Sequence, residues 1–563
     1  MKRKTILVTI VVAFVALVSC DNQIVYLECN NVLSTHVERV VEGGRHFNPH
    51  SVEAMRKACS ILYPTSRNGI DLADEVIVAT HKYMRFLPTT KEQMDALLDL
   101  DWELFNYPMD YEFPDSVNLA EYHDPAIPED QITWQYTVIP INEPIPDTIT
   151  YQLLEECYLP DDEEEEVETS AGMVNIAQIE SLSYELAAGG NGSDVSVMAL
   201  AMQTYTGTIK VDNTPVKGVK VRMKSGLVVK TTYTSSVGAY SIRGRLGNSP
   251  KTEVLFENQK DFKIGYDFQL ILPSTMSLGT SRSVNFSNDN NKGRVLSLVN
   301  NAAYDYYNWC GTKGIAPPPA NMRLWAMTVG GGGAACPMLH HCVPLVWKLG
   351  FAEFVEYLLI GDVGSALIVS AILRTLLTLL GPDVVLLDVD NASQETIFRN
   401  TCHELAHSSH FRVVGSNDLA RARWWVNVCD YEVLQGVMND GDPYGDGTAS
   451  NCGCAGVTES WAHAIEMFIV REIYYGYPSL NTLHLEFPTQ SNGEADADFY
   501  KGDYWFKPQV FWNMYSEGVS LSEIYQQLVA SASSLRALKN RLLTFGPDEY
   551  EDLITEIFGR YGF

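Results

Sequence analysis

Apolar residues recur every four positions between Ile397 and Ala406. Ile397, Thr401 and Leu405 form one stripe, and Phe398, Cys402 and Ala406 form the stripe beside it. This spacing predicts a core-facing α-helix. Asn391 and Ser393 stand just upstream, where a side chain caps a helix N-terminus. The run Asp383-Val384-Val385-Leu386-Leu387-Asp388-Val389 predicts a buried strand before that helix. A second amphipathic helix is predicted to start at Val457, capped by Thr458 and ended by Gly476 after Tyr474-Tyr475. Its polar face carries Glu459, His463 and Glu466 at spacings of four and three, and the remaining faces are Trp, Ala, Ile, Met and Phe. Further helices are predicted over 91–104, 300–310, 521–532 and 534–543, with a short one before Tyr561-Gly562-Phe563.

Period-two alternation takes over in the middle of the chain. Val219, Val221 and Met223 alternate with Lys220, Arg222 and Lys224, the pattern of a strand with one buried and one solvated face. Turn signals at Thr214-Pro215 and Gly238 separate similar runs. Residues 83–87 are strand-like. Residues 363–380 are apolar but interrupted by Arg374 and followed by Gly381-Pro382, which predicts a buried helix and not a membrane span. The acidic run Asp161-Asp162-Glu163-Glu164-Glu165-Glu166 predicts a solvated segment, and Gly189-Gly190-Asn191-Gly192 continues it as linker.

These patterns divide the chain into a leader (1–19), a mixed α/β accessory region (20–158), an acidic and glycine-rich linker (159–203), a small β unit (204–275) and a large C-terminal unit (285–563). The expected class is multidomain α+β.

Composition narrows the partners. A net charge of −30 and a pI near 4.7 repel phosphate backbones, which argues against nucleic acid. Lys2, Arg3 and Lys4 precede an apolar stretch over 6–18 that is too short to span a bilayer. Leu17-Val18-Ser19-Cys20 resembles a bacterial lipobox. The resemblance implies cleavage before Cys20, acylation of that residue (palmitate among the chains), and a lipid anchor in a membrane of the cell envelope. The outer membrane is favoured, with the protein facing the periplasm or the cell surface. In such an oxidising compartment some of the other ten cysteines are expected to pair. Cys336 and Cys342 could close a small loop, whereas Cys452 and Cys454 would pair elsewhere. Cys336 and Cys342 with His340 and His341 also make a weaker, alternative metal knuckle.

The chemistry concentrates at His403-Glu404-Leu405-Ala406-His407. Residues four apart on a helix lie on one face, so both imidazoles can reach one Zn²⁺ while Glu404 sits beside it as a general base. A catalytic zinc normally has three protein ligands. His410 is a poor third, because seven residues of helix separate it from His403 by ~10 Å, and it reads as a cleft-side or exposed residue. Glu459 is preferred, Glu466 is a substitute, and Asp442 in the loop Asp440-Gly441-Asp442-Pro443-Tyr444-Gly445 is the runner-up. Tyr431, Tyr444 and His463 are candidate donors to a developing oxyanion, or groups supporting the ligands.

A strand followed by an H-E-x-x-H helix resembles the zincin metallopeptidases, and a glutamate on the next helix resembles their gluzincin group. The gap from His407 to Glu459 is longer than in thermolysin, and a His, not an Asp, follows four residues after the Glu. The metzincin pattern is absent, since His410 stands where its glycine belongs. The resemblance implies one zinc per chain held by His403, His407 and Glu459, Glu404 as base, a helical C-terminal lobe, and a peptide or protein substrate. It also implies substrate binding by strand addition along an edge at 323–328 or 384–389. The strings Gly207-Thr-Ile-Lys-Val, Thr214-Pro-Val-Lys-Gly-Val219 and Gly238-Ala-Tyr-Ser-Ile242 resemble carboxypeptidase regulatory-like domains, small transthyretin-like β-sandwiches with structural roles. The competing expectation is a surface binding lipoprotein with a zincin-like fold and little turnover. An intact Glu404 favours the enzyme.

Overall fold

The computed structural model describes residues 44–45, 48–64, 72–113, 119, 122–128, 131–162, 166–169, 172–187, 201–247, 249–267, 273–328, 333–342, 381–438, 443–476 and 505–563. Cys20 and the leader, residues 163–165 of the acidic run, the glycine linker, the apolar stretch 363–380 and Asp442 lie outside the described residues. The described chain mixes helices with multi-strand sheets.

The N-terminal region includes α1 (Val52–Leu62), α2 (Leu72–Val76), β1 (His81–Leu87), α3 (Lys91–Leu98), β2 (Gln135–Pro140), β3 (Thr150–Cys157) and α4 (Ile176–Ala187); α4 lies within the stretch expected to be linker, and it is a helix because Ile176, Ile179 and Leu182 bury against Met55, Ala58 and Cys59 of α1. Strand β1 is the middle of a three-stranded antiparallel sheet, between β2 and β3. Helix α3 stops at Leu98, short of the expected 104. Two turn hydrogen bonds, Leu100 N to Leu97 O and Trp102 N to Leu100 O, take the chain out of the helix. Glu103, Phe105 and Tyr107 then meet the next part of the molecule.

That next part holds β4 (Gln203–Val211), β5 (Val219–Ser225), β6 (Val228–Tyr233), β7 (Ala239–Gly244), β8 (Lys251–Asn258), β9 (Phe262–Tyr266), β10 (Thr275–Gly279) and β11 (Val284–Phe286). Then follow α5 (Asn291–Lys313), β12 (Met322–Ala326), β13 (Ala334–Ala335), β14 (Val384–Leu386), α6 (Gln394–Val413), α7 (Asp418–Met438) and α8 (Cys452–Ile469). One π-helical turn, Val470–Tyr474, leads out of α8. The chain ends in α9 (Pro508–Ser516), α10 (Leu521–Gln526), α11 (Leu535–Phe545) and α12 (Glu551–Arg560).

A small sheet has the order β7-β4-β11. The large sheet runs β6-β5-β8-β9-β12-β14-β13, with β10 on β8. Its seam is the parallel pair β9–β12, in register from Phe262 opposite Met322 to Tyr266 opposite Ala326. Strands on both sides of residue 280 therefore share one ladder, and one hydrophobic core runs from Tyr205 to Phe558. Helix α5 packs beneath it, longer at both ends than the expected 300–310 because Asn290 caps its start and left-handed Gly314 its end.

Two expectations about edges and faces are corrected. Neither 323–328 nor 384–389 is an edge, because β12 lies between β9 and β14, and β14 lies between β12 and β13. Among the described residues β13 is the outer strand at this end of the sheet, and β6 is the outer strand at the other. The basic face of β5 is not solvated either. Arg222 and Lys224 are buried, since Phe105 and Tyr107 of the N-terminal region cover them. Asp162 of the acidic run pairs with Lys230 at 2.5 Å, and Arg323 of β12 pairs with Asp95 of α3 at 2.5 Å.

The nine described cysteines are all free thiols. Cys336 and Cys342 do not pair: Cys336 Sγ faces Ser408 Oγ at 3.2 Å, and Cys342 closes a turn onto Met338 O at 2.7 Å. The His341 ring is occupied as well, with Nδ1 3.0 Å from Asp383 Oδ1 and Nε2 2.9 Å from Ala320 O, so the knuckle has no donor there.

Candidate metal centre

Helix α6 begins where Ser393 Oγ accepts the Thr396 N–H at 3.0 Å. Its apolar stripes pack toward α5, and α8 crosses its other side, leaving His403, Glu404 and His407 buried between helices. His403 Nε2 and His407 Nε2 face each other at 3.0 Å. Helix α8 starts at Cys452, five residues earlier than expected, so Thr458 lies inside it and buried. Glu459 accordingly projects from the second turn, with Oε1 3.3 Å from His407 Nε2 and Oε2 3.6 Å from His403 Nε2.

The three donor groups offer one atom each within 4.8 Å of one another. Tetrahedral zinc with N and O ligands holds those atoms about 3.3 Å apart, close to the separations seen. Glu459 Oε2 also accepts no hydrogen bond although it is buried. A buried orphan carboxylate oxygen beside two convergent imidazoles suits a cation, and the donor set fits zinc.

Glu466 is not at that point. Its Oε2 lies 3.2 Å from His403 Nδ1 and 3.4 Å from His463 Nδ1, and its Oε1 accepts from Arg399 Nε at 2.6 Å. The hydrogen-bond pattern places the His403 proton on Nδ1, aims Nε2 at the cluster, and makes Glu466 an orienting partner. An alternative grouping of His403, His463 and Glu466 is equally compact, but it would use the Nδ1 edge that Glu466 and Arg399 already tie up.

The electrostatics reflect four carboxylates gathered round three imidazoles. Burial opposes protonation of His403, but the nearby Glu459 and Glu466 carboxylates and the charge of Glu404 hold its pKa well above the usual range. Glu459 is held well below the ordinary carboxylate range by His407 and His403 despite burial, and Glu466 by Arg399 and its two histidines. Burial raises Glu404, with Glu459 and Glu466 adding to the effect against the two histidines. His463 is pushed down to about 4 by burial and by His403.

Of the oxyanion candidates, Tyr431 is committed elsewhere: its hydroxyl donates to Tyr444 O at 2.6 Å and accepts from Gly447 N at 3.2 Å. Tyr444 lines the same cleft as Glu404 and both histidines, and burial together with Glu459, Glu404 and Glu432 raises its hydroxyl far above the normal range. His463 stacks on Phe506 at 5.6 Å and serves Glu466. His410 is fully buried, not exposed, with its ring 5.2 Å from Trp424. Trp505 sets the spacing of the site. Its Nε1 donates to Tyr444 O at 2.7 Å, and its ring lies so close to Gly456 that a Cβ there would fall 2.6 Å from it.

Sequence reasoning missed Glu432. It lines the cleft from α7, where burial and the charges of Glu459 and Glu404 raise its pKa well above normal. The signal was present: Trp425, Val428, Glu432 and Gln435 recur at spacings of three and four, so one acid interrupts an otherwise inward-facing stripe. Ala334, Ala335 and Cys336 of the β13 edge form the opposite lip. Comparison with protein-family models, with curated proteins and with solved structures returns no match to this chain.

Proposed function

We propose that this chain is a zinc-dependent peptidase of gluzincin type, tethered through Cys20 to a membrane of the cell envelope. The observation that carries the reading is the convergence of His403 Nε2, His407 Nε2 and the Glu459 carboxylate, with Glu404 in the same cleft. His403, His407 and Glu459 would hold the metal. Zinc, when bound, activates water and polarises a carbonyl.

Glu404 takes the proton of the attacking water and passes it to the leaving amine. Burial beside Glu459 and Glu466 raises its affinity for a proton, the direction that suits a group taking one from water. Tyr444 is the donor best placed for the developing oxyanion. The short outer strand β13 offers backbone groups to an extended peptide beside the cleft. Glu466 and Arg399 position His403, and Trp505 positions Tyr444 relative to α8.

The test is metal content and peptide-library cleavage of the purified protein beside Glu404→Gln and Glu459→Ala. The reading expects zinc in wild type and Glu404→Gln, turnover only in wild type, and reduced zinc in Glu459→Ala. Wild-type protein that holds no zinc, or equal cleavage by Glu404→Gln, would overturn it.

A further inference from the structure

We infer that the cleft admits only a small side chain, no larger than that of valine, beside the bond that is cut; the inference rests on the peptidase reading. Two walls flank the candidate metal centre. One is the outer strand β13, Ala334 and Ala335, continued by Cys336, and the other is Trp425 and Val428 of α7. Pro443 completes the apolar lining among the described residues. The space enclosed is about 40 Å³. On a scale where one water needs about 10–15 Å³, that is room for about three groups of water size. The attacking water takes one, which leaves room for a methyl or isopropyl group and none for a phenyl ring.

The limit is strict because the two walls are tied to each other. Trp425 Nε1 donates to Cys336 O at 2.9 Å, so α7 holds the backbone that follows the strand. Cys336 Sγ faces Ser408 Oγ of α6 at 3.2 Å. Strand β13 is paired in turn with β14, Ala334 opposite Leu386 and Ala335 opposite Val385. The Trp425 ring is hemmed in by Phe411 at 5.6 Å, and by Trp424 and His407 at 6.1 Å each. Trp425 and Val428 are both 1% exposed. No swing of a free side chain widens such a space, and a close-packed wall yields only at a cost. The two alanines carry nothing beyond Cβ, so an extended peptide can lie close along the strand. Its own side chains must then fit the gap to α7.

The test uses the full chain loaded with zinc. Peptide-library products, sequenced on both sides of the cut, should favour glycine, alanine and valine over leucine, phenylalanine and tryptophan by about tenfold at one flanking position. Calorimetric titration adds a readout without turnover: N-acetyl-alanine hydroxamate should bind about tenfold more tightly than N-acetyl-phenylalanine hydroxamate. Val428→Ala, which deepens the space, should raise cleavage beside leucine and narrow the gap between the two hydroxamates, a gain that a misfolded chain cannot show. Trp425→Phe, which unties Cys336 O, should do the same. Bulky residues on both sides of the cut in wild type, equal affinity for the two hydroxamates, or an unchanged preference in both variants would overturn the inference. The two readings fail separately: cleavage without a size limit removes this one alone, and hydroxamate discrimination without any cleavage removes the peptidase. Absence of both removes both.

Discussion

Two groups of buried charges in this molecule look alike in composition and differ in closure. On the face of β5, Arg222 pairs with Glu253 at 2.8 Å and stacks over Phe105 at 3.9 Å; Tyr107 donates to Glu253 at 2.9 Å, and Lys224 donates to Tyr107 at 2.6 Å. A carboxylate and a phenol stand between the two cations, and the Phe105 ring, which both cations overlie, closes the chain of contacts. Between α6, α7 and α8, Glu404, Glu432, Glu459 and Glu466 gather around three imidazoles, with Arg399 the cation seen in contact with them among the described residues. The first group joins the N-terminal region to the sheet. The second is short of positive charge and has an oxygen without a hydrogen-bond partner. Burial and ionisable residues are common to both, so neither marks function; the missing counter-charge does.

The largest expected effect comes from Glu404→Gln. Turnover should fall by about 10²–10⁴-fold, while thermal stability of the metal-free protein stays level or rises, because one acid leaves an overcrowded cluster. A melting temperature that drops as for a broken structural pair would make the two groups equivalent and erase the distinction.

Arg222→Met is the converse. It should cost about 3–5 kcal/mol in denaturant unfolding, since Glu253 is left buried without its guanidinium, and it should leave zinc content alone. Replacing Glu253 by Leu in the same chain should recover much of the loss. A single variant of wild-type stability would mean that this closed group does not hold the two regions together.

Glu466→Gln sharpens the contrast within the site. Weaker orientation of His403 should reduce zinc affinity by about 10–100-fold in chelator competition, with folding little changed. Complete loss of metal would make Glu466 a ligand in its own right.

The smallest effect is on pH dependence. The pKa of His403 is raised in the metal-free fold, so its contribution to stability is fully present below the unfolded value of about 6.5 and is lost as pH rises through the folded value. Metal-free protein should therefore lose melting temperature on going from about pH 6 to about pH 9. Zinc-loaded protein should not, because metal replaces the proton. Parallel profiles would place His403 away from the cation.

Much of the candidate site is legible in the chain because it rests on local rules. One helical turn brings His403 and His407 together, Ser393 caps their helix, and an acid on the polar stripe of the next helix supplies Glu459. What is illegible is set by distant partners. The alternation in β5 marks a polar face, but nothing local says that residues more than a hundred positions upstream cover Arg222 and Lys224. The Gly-rich start of α8 reads as loop until α8 packs against its neighbours. The outer strand β13 is two residues long and has no period to detect. Glu432 declares itself only after α7 is seen to line a cleft already crowded with carboxylates.

The parallel seam between β9 and β12 has a practical corollary for handling this protein. A fragment begun near residue 285 would strip β9 from β12 and leave five residues of fully buried strand, Met322 to Ala326, with a bare row of amide and carbonyl groups. Such a margin seeks another strand, and self-association follows. The smallest soluble piece that retains the histidine helix should therefore begin no later than β4, the central strand of the small sheet, near residue 203.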